Sequence, residues 1–309
     1  MNVSRLRKAI ALTALAFLFV AVFAGKTRPQ QNTPEPQLFA PGVVSTGHEF
    51  ALTFTKDMKE AYFTRHFPER GANSIMRTEF KNGAWQKAVP VSFSVDQYSD
   101  LDPALSPNGR RLFFVATRPV TGADPKTRNM DIWYSDRSAN STRNDAADWG
   151  APQHLENVNS AGKEGSPTVA KDGTLCFFSD RGRGPNLNSI YCAEWQGNKY
   201  GEPIKMGPEI NSEASDTSPA FSGDGNTMVF YSNRPGGYGK GDLYVSFRRN
   251  HKWTQATNLG AVVNTAESEY NPVLSPDGKT LYFGRNGNIY WIPIEALKVS
   301  RLDVKHLRS

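Results

Sequence analysis

From about residue 38 onward the chain alternates short apolar runs with polar loops, a pattern with the period of strands and no stretch with the period of a long amphipathic helix. The clearest runs, residues 112–115, 175–178, 228–231 and 281–283, are three or four residues long and rich in Phe, Tyr, Leu and Val. Each follows a turn pair, Asn108-Gly109, Asp172-Gly173, Asp224-Gly225 or Asp277-Gly278. Such pairs supply the positive φ of a tight hairpin, so a strand is predicted on either side. The preceding strand starts near Pro103, Pro167, Pro219 or Pro272, and a third follows a polar loop, at Ile75-Met76, 131–134, Ile190-Tyr191, 243–245 and 289–291. A fourth is predicted near Trp85, Trp149, Tyr200 and Trp253, closing with related phrases such as ENVNS (156–160), PEINS (208–212) and NLGAVVNT (258–265).

These elements belong to one repeating unit. SDLDPALSPNGRRLFF from Ser99, KEGSPTVAKDGTLCFF from Lys163, SDTSPAFSGDGNTMVF from Ser215 and SEYNPVLSPDGKTLYF from Ser268 superimpose, and HEFALTFTKDMKEAYF from His48 is a degenerate fifth copy. In that copy Asp57-Met58 stands in place of Asp-Gly and Leu52 in place of proline. The acid at the second position marks the period: Glu49, Asp100, Glu164, Asp216 and Glu269, 51 to 64 residues apart. Four antiparallel strands per unit, repeated without intervening helices, describe propeller blades. The fold class is therefore all-β, a five-bladed β-propeller of four-stranded antiparallel blades over residues 38–297. The last unit lacks a fourth strand, whereas Phe39 and Val43 of LFAPGVVST line up with Leu259 and Val263 of LGAVVNT. The N-terminal segment is thus expected to complete the last blade and remove its open edge. After Trp291 a short amphipathic helix is expected, with Ile294, Leu297 and Leu302 inward, leading into a basic tail at 298–309.

The turn sequences PALSPNGRRLFF and PVLSPDGKTLYF, together with YSNRPGGYGKGDLYVS (231–246), resemble the TolB-like propeller repeat, a relative of WD repeats with a Ser-Pro-Asp-Gly turn. The resemblance spans residues 38–297 and is strongest in units two, four and five. It implies an exported propeller, commonly a protein-interaction or sugar-binding module. The double glycine of kelch repeats occurs only at Gly236-Gly237. Some related propellers precede a hydrolase domain; this chain ends after the propeller, and none is expected.

Charge changes the picture less than its total suggests. The 309 residues carry a formal +6. Arg5, Arg7 and Lys8 precede an uncharged run from Ala9 to Ala24 with small residues at its end, the pattern of an export signal cleaved after Ala24. The alternative is an uncleaved inner-membrane anchor, although the run falls short of the ~20 apolar residues of a span. Cleavage would leave the chain near +3, which disfavours nucleic acid as a partner. No cysteine follows the run, so a lipoprotein anchor is not expected. Residues 25–37 read as a Pro/Gln-rich tether.

In a propeller the loop leading into the first strand and the loop between strands two and three share a face. Glu49, Asp100, Glu164, Asp216 and Glu269 are therefore expected at one mouth of the channel, with the arginines that follow each second strand, Arg65, Arg118, Arg181, Arg234 and Arg285. Such a rim either receives a cation, sugar or peptide, or consists of ion pairs that fix each blade. Departures from the repeat are sharper candidates: His66, Arg128 and Tyr238, in long loops on that face. Catalytic signals are poor. There is no G-x-S-x-G elbow, no zinc spacing among His48, His66, His154, His251 and His306, and no calcium loop. No catalytic residue, metal or cofactor is assigned. Five-bladed glycosidases do use carboxylates around a channel mouth, but an acid and its partner need unlike environments, and these acids occupy equivalent ones. The expectation is a monomeric, non-catalytic envelope module binding a protein or glycan, with a glycan-cleaving enzyme as the alternative. Cys176 and Cys192 fall on neighbouring strands; they form a disulfide if in register and remain two buried thiols if not.

Overall fold

In the computed structural model of the chain, residues 34–94, 97–120, 129–138, 149–184 and 187–297 are described. The expected signal at 1–24, most of the tether, Arg128 and the tail at 298–309 lie outside them.

Five antiparallel sheets form, each with an inner strand: Glu49–Phe54, Asp100–Leu105, Glu164–Val169, Asp216–Phe221 and Tyr270–Leu274. The second strands are Glu60–Phe67, Arg111–Ala116, Leu175–Ser179, Thr227–Ser232 and Thr280–Arg285, and the third Ala72–Lys81, Asp131–Asp136, Ser189–Ala193, Asp242–Arg249 and Asn288–Pro293. Each inner strand packs against the next and the fifth against the first, so the sheets are blades of a five-bladed propeller. Second strands are apolar at consecutive positions because each blade is covered on both faces. Phe113 faces Leu175 and Phe177 of blade three, while Leu112 and Phe114 face Tyr62 and Ile75 of blade one. One such apolar cluster fills each of the five gaps between blades.

Two local features differ from the sequence reading. In the hairpin turns only the glycine is left-handed, with φ of 68° at Gly109 and 75° at Gly225. Its partner caps instead: Ser275 donates to Asp277 at 2.6 Å and the Lys279 amide donates to the same oxygen. The turn is thus a longer one ending in a left-handed residue, a position that Met58 fills at φ 54° in blade one. Outer strands are also shorter and displaced. Trp149 and Tyr200 make only isolated bridges, to Arg137 and Trp195, and the strands proper are Gln153–His154 and Ile204–Lys205. Blades one and four each carry two short outer pieces, Ala84–Trp85 with Val89–Pro90 and Lys252–Trp253 with Thr257–Asn258.

The asparagine of the closing phrase replaces a missing length of strand. Asn159, Asn211 and Asn264 accept from the backbone amides of Ile132, Ile190 and Leu243 at 2.7, 2.7 and 2.9 Å, and return a hydrogen bond to the same residues' carbonyls. In blade five Ser45 does this for Ile289. The N-terminal segment completes that blade through strand Gln37–Leu38, which starts one residue inside the expected tether and pairs with Trp291 and Tyr290. Phe39 then sits edge-on to Phe54, Trp85 and Tyr282.

Cys176 and Cys192 are directly opposite each other, with Cα atoms 4.1 Å apart, and are joined by a disulfide. Among the described residues after Trp291 the helical element is a 3-10 turn, Ile294–Ala296, with Ile294 and Leu297 buried; Leu302 lies outside them. Among the described residues no helix is long and apolar enough to cross a membrane.

Candidate functional site

The five acids and five arginines meet as expected in sequence, one pair per blade, but not as an open rim. Glu49, Asp100, Glu164, Asp216 and Glu269 are completely buried. Each accepts from the arginine of its own blade: Arg65 at 2.6 Å, Arg118 at 2.7 Å, Arg181 at 2.9 Å, Arg234 at 2.7 Å and Arg285 at 2.8 Å. The residue after the clamp asparagine saturates the carboxylate further. Ser160, Ser212 and Thr265 donate both amide and hydroxyl to Glu164, Asp216 and Glu269, and Thr46 does so to Glu49. Every arginine also donates to a carbonyl of the loop leading into its blade, at Val43, Phe93, Val158, Ile210 or Val263. Its guanidinium lies over aromatic rings, as Arg234 does over Tyr244 at 4.7 Å. Burial pushes the Asp100 carboxyl up against the opposing pull of Arg118. These groups hold the loops to the blades, with the carboxylates buried and the arginine side chains 12–19% exposed.

The described loop candidates, His66 and Tyr238, stand apart from the two cavities described below. His66 is half-buried and pairs with Asn73 through Nδ1 at 3.1 Å, and Tyr238 is exposed, its amide donating to Asp242 at 2.6 Å. Arg128 lies outside the described residues.

Sequence reasoning missed a second ring. Each inner strand breaks register with its neighbour just after its first residues, between Leu101 and Ala104 in blade two and at the same place in the others. At this bulge the second residue after the repeat's acid takes left-handed φ: Ala51 at 49°, Asp102 at 53°, Ser166 at 46°, Ser218 at 51° and Asn271 at 45°. Proline follows four of them and supplies no amide to the ladder, which suits a bulge. Because the strands surround the axis, these side chains converge. The Ser166 amide and hydroxyl both donate to Asp102 Oδ2 at 2.9 Å, Ser166 and Ser218 hydroxyls are 3.2 Å apart, and Asn271 Nδ2 donates to Ser166 Oγ at 3.3 Å. Asp102 is buried, and its carboxyl is pushed up by that burial, opposed only by the two donors of Ser166. The only signal in sequence was a polar residue directly before the repeat's proline.

This ring floors a cavity of about 470 Å³ that opens on the hairpin-turn face, opposite the acid-arginine pairs. Pro103, Pro167, Pro219 and Pro272 line its wall, and exposed Lys56 and Lys171 stand at its rim. A second hollow of about 590 Å³ lies between blades three and four beside the disulfide, over Met206, Phe221 and Trp253. Asp172 and Glu194 in its lining are exposed. Among the described residues no three His, Cys, Asp or Glu side chains are placed to hold a metal ion.

No protein-family model matches the sequence, and no curated protein matches it either. Solved structures are similar in fold. TolB from Acinetobacter baumannii superimposes with a TM-score of 0.45 at 15% identity, covering 79% of this chain and 54% of that one. This chain therefore spans about half of that protein's length. A structure from Agrobacterium tumefaciens described as TolB gives a TM-score of 0.50 at 15% identity, over 81% and 78% of the two chains. Alpha-L-arabinofuranosidase from Lactobacillus brevis gives 0.54 at 14% identity, over 82% and 93%. At such identities the likeness is one of fold.

Proposed function

We propose that this protein is a non-catalytic, TolB-like binding propeller exported to the cell envelope, which receives part of a protein or glycan in the central cavity on its hairpin-turn face. The observation that carries this reading is the contrast between the two rings. The repeated acids are saturated and buried, whereas the cavity floor is unlike from blade to blade, with one carboxylate, two hydroxyls, one amide and one methyl group. A feature common to all blades serves the scaffold; selectivity comes from positions that differ. The glycosidase alternative needs two carboxyl groups in unlike surroundings; the floor supplies Asp102, and the other carboxylate of the lining, Asp224, caps a hairpin turn by accepting from Ser222 and Asn226.

Blocking the cavity mouth tests this. The native cysteines are bonded to each other, so Lys171→Cys on the turn-face rim and Tyr238→Cys on the opposite face can each be labelled with a bulky maleimide. Retention of envelope proteins and glycans is then compared. Labelling at 171 is expected to abolish retention, as is the same label at Lys56→Cys, which does not border the second hollow, and labelling at 238 to leave it intact. The reverse moves the site to the acid-bearing face, and product release from a polysaccharide panel replaces the reading with an enzyme.

A further inference from the structure

The hydrogen-bond polarity of the cavity floor restricts what it accepts. Ser166 spends its amide and its hydroxyl proton on Asp102 Oδ2. With that proton committed, Ser166 Oγ is an acceptor, and Asn271 Nδ2 donates to it and lies 3.5 Å from Ser218 Oγ. The Ser218 hydroxyl has Ser166 at 3.2 Å and Thr217 at 3.5 Å as acceptors for its own proton. Every side-chain donor of the ring is thus directed within the ring and, through Ser166, toward Asp102. With Asp102 ionised, what remains without a protein partner is acceptor only: Asp102 Oδ1, Asn271 Oδ1 and a lone pair of Ser218. A buried carboxylate oxygen facing a cavity in this state calls for a donor that carries charge.

We infer that the floor of the central cavity binds a protonated primary amine on a small molecule, its ammonium group seated on Asp102, Asn271 and Ser218. This inference rests on the cavity being the binding site. An ammonium carries three N–H donors on a compact centre, matching three acceptors. A calcium ion takes six to eight oxygens, usually with several carboxylates, and this ring offers a single one. The volume of about 470 Å³ is that of a small-molecule site. Proline walls above the ring suit the carbon skeleton that bears the amine. The amine has two plausible carriers, a sugar or an alkyl chain, which the test separates.

The test is calorimetric titration of the exported protein with glucosamine against glucose and with pentylammonium against 1-pentanol. One amine is expected to bind at least about tenfold more tightly than its neutral counterpart, a preference that Asp102→Asn removes, as expected for loss of a charge-assisted hydrogen bond. Maleimide labelling of Lys171→Cys is expected to block it. Binding weakens as pH falls and the carboxyl is protonated. A second readout does not depend on the variant: the Asp102 carboxyl resonance, followed by NMR through a pH titration, shifts to a lower pKa when the amine is present. Equal binding of neutral and charged partners, blocked by the label, overturns the ammonium assignment and leaves the cavity as the site. Calcium that displaces the amines overturns it in favour of a metal ion. Amine binding that survives the label places the amine elsewhere and counts against the assignment. If no amine binds, the assignment fails whatever the envelope experiment shows, and the cavity itself fails only if labelling at 171 also leaves retention unchanged.

Discussion

Asp102 is in an unfavourable setting in the empty protein. Burial raises its pKa above the ordinary carboxylate range, so the folded chain holds its proton to higher pH than the unfolded chain does. Below the ordinary range both states are neutral at this group. Between the ordinary and the raised value the unfolded chain alone loses the proton, stability falls as pH rises, and above the raised value the whole penalty remains. Asp102→Asn keeps an oxygen for Ser166 and removes the charge. It is expected to raise the midpoint of thermal unfolding at neutral pH, and the gain should vanish by about pH 3, below the usual carboxylate range. A variant that melts below the parent at neutral pH would contradict this. Asp102 was not legible in sequence because a strand read with strict alternation gives no reason to single it out. The bulge shifts the register within the inner strand, and nothing but proline at the following position announced it.

At the scale of one blade, the acid, the arginine and the clamp phrase act as a unit tying the connecting loop to the sheet. Arg234→Met leaves Asp216 buried with only Ser212 to answer it, and should cost about 3–5 kcal/mol, as for other buried pairs broken on one side. Lys240 and Glu267 form an exposed pair at 2.8 Å on the same face, and Lys240→Ala should change stability by no more than about 1 kcal/mol. Denaturant unfolding of both variants gives the comparison, and similar losses for the two would remove the distinction. The pairing of acid and arginine was legible from their recurrence. The complete burial of the acids was not, because strand order places them at one end of the blade without saying how the NS or NT of the closing phrase folds over them.

Over the whole molecule, the five-fold repeat, the absence of long helices among the described residues and completion of the last blade by the N-terminal segment were all readable, because turn pairs and apolar runs recur at one period. The outer strands of blades two and three were misplaced by a few residues, whereas those at Trp85 and Trp253 lie where expected; all are two residues long, and side-chain clamps replace much of their pairing. Ring closure depends on the first strand. Deleting residues 37–45 removes the partner of Asn288–Pro293 and the Phe39 contacts, and is expected to lower the melting temperature and speed proteolysis of blade five. Equal protease resistance would show that the ring closes without it.

That closure also orders events in time. Ser45 is hydrogen-bonded to Ile289, 244 residues later in the chain. Synthesis runs from the N-terminus, so the earliest-made strand has no partner until the last blade has emerged. Blades one to four can form as they appear, but the ring cannot shut until strand Asn288–Pro293 is there to pair with Gln37–Leu38. The contact that finishes the fold thus joins the first-made and last-made strands of the propeller, and it waits on the formation of blade five.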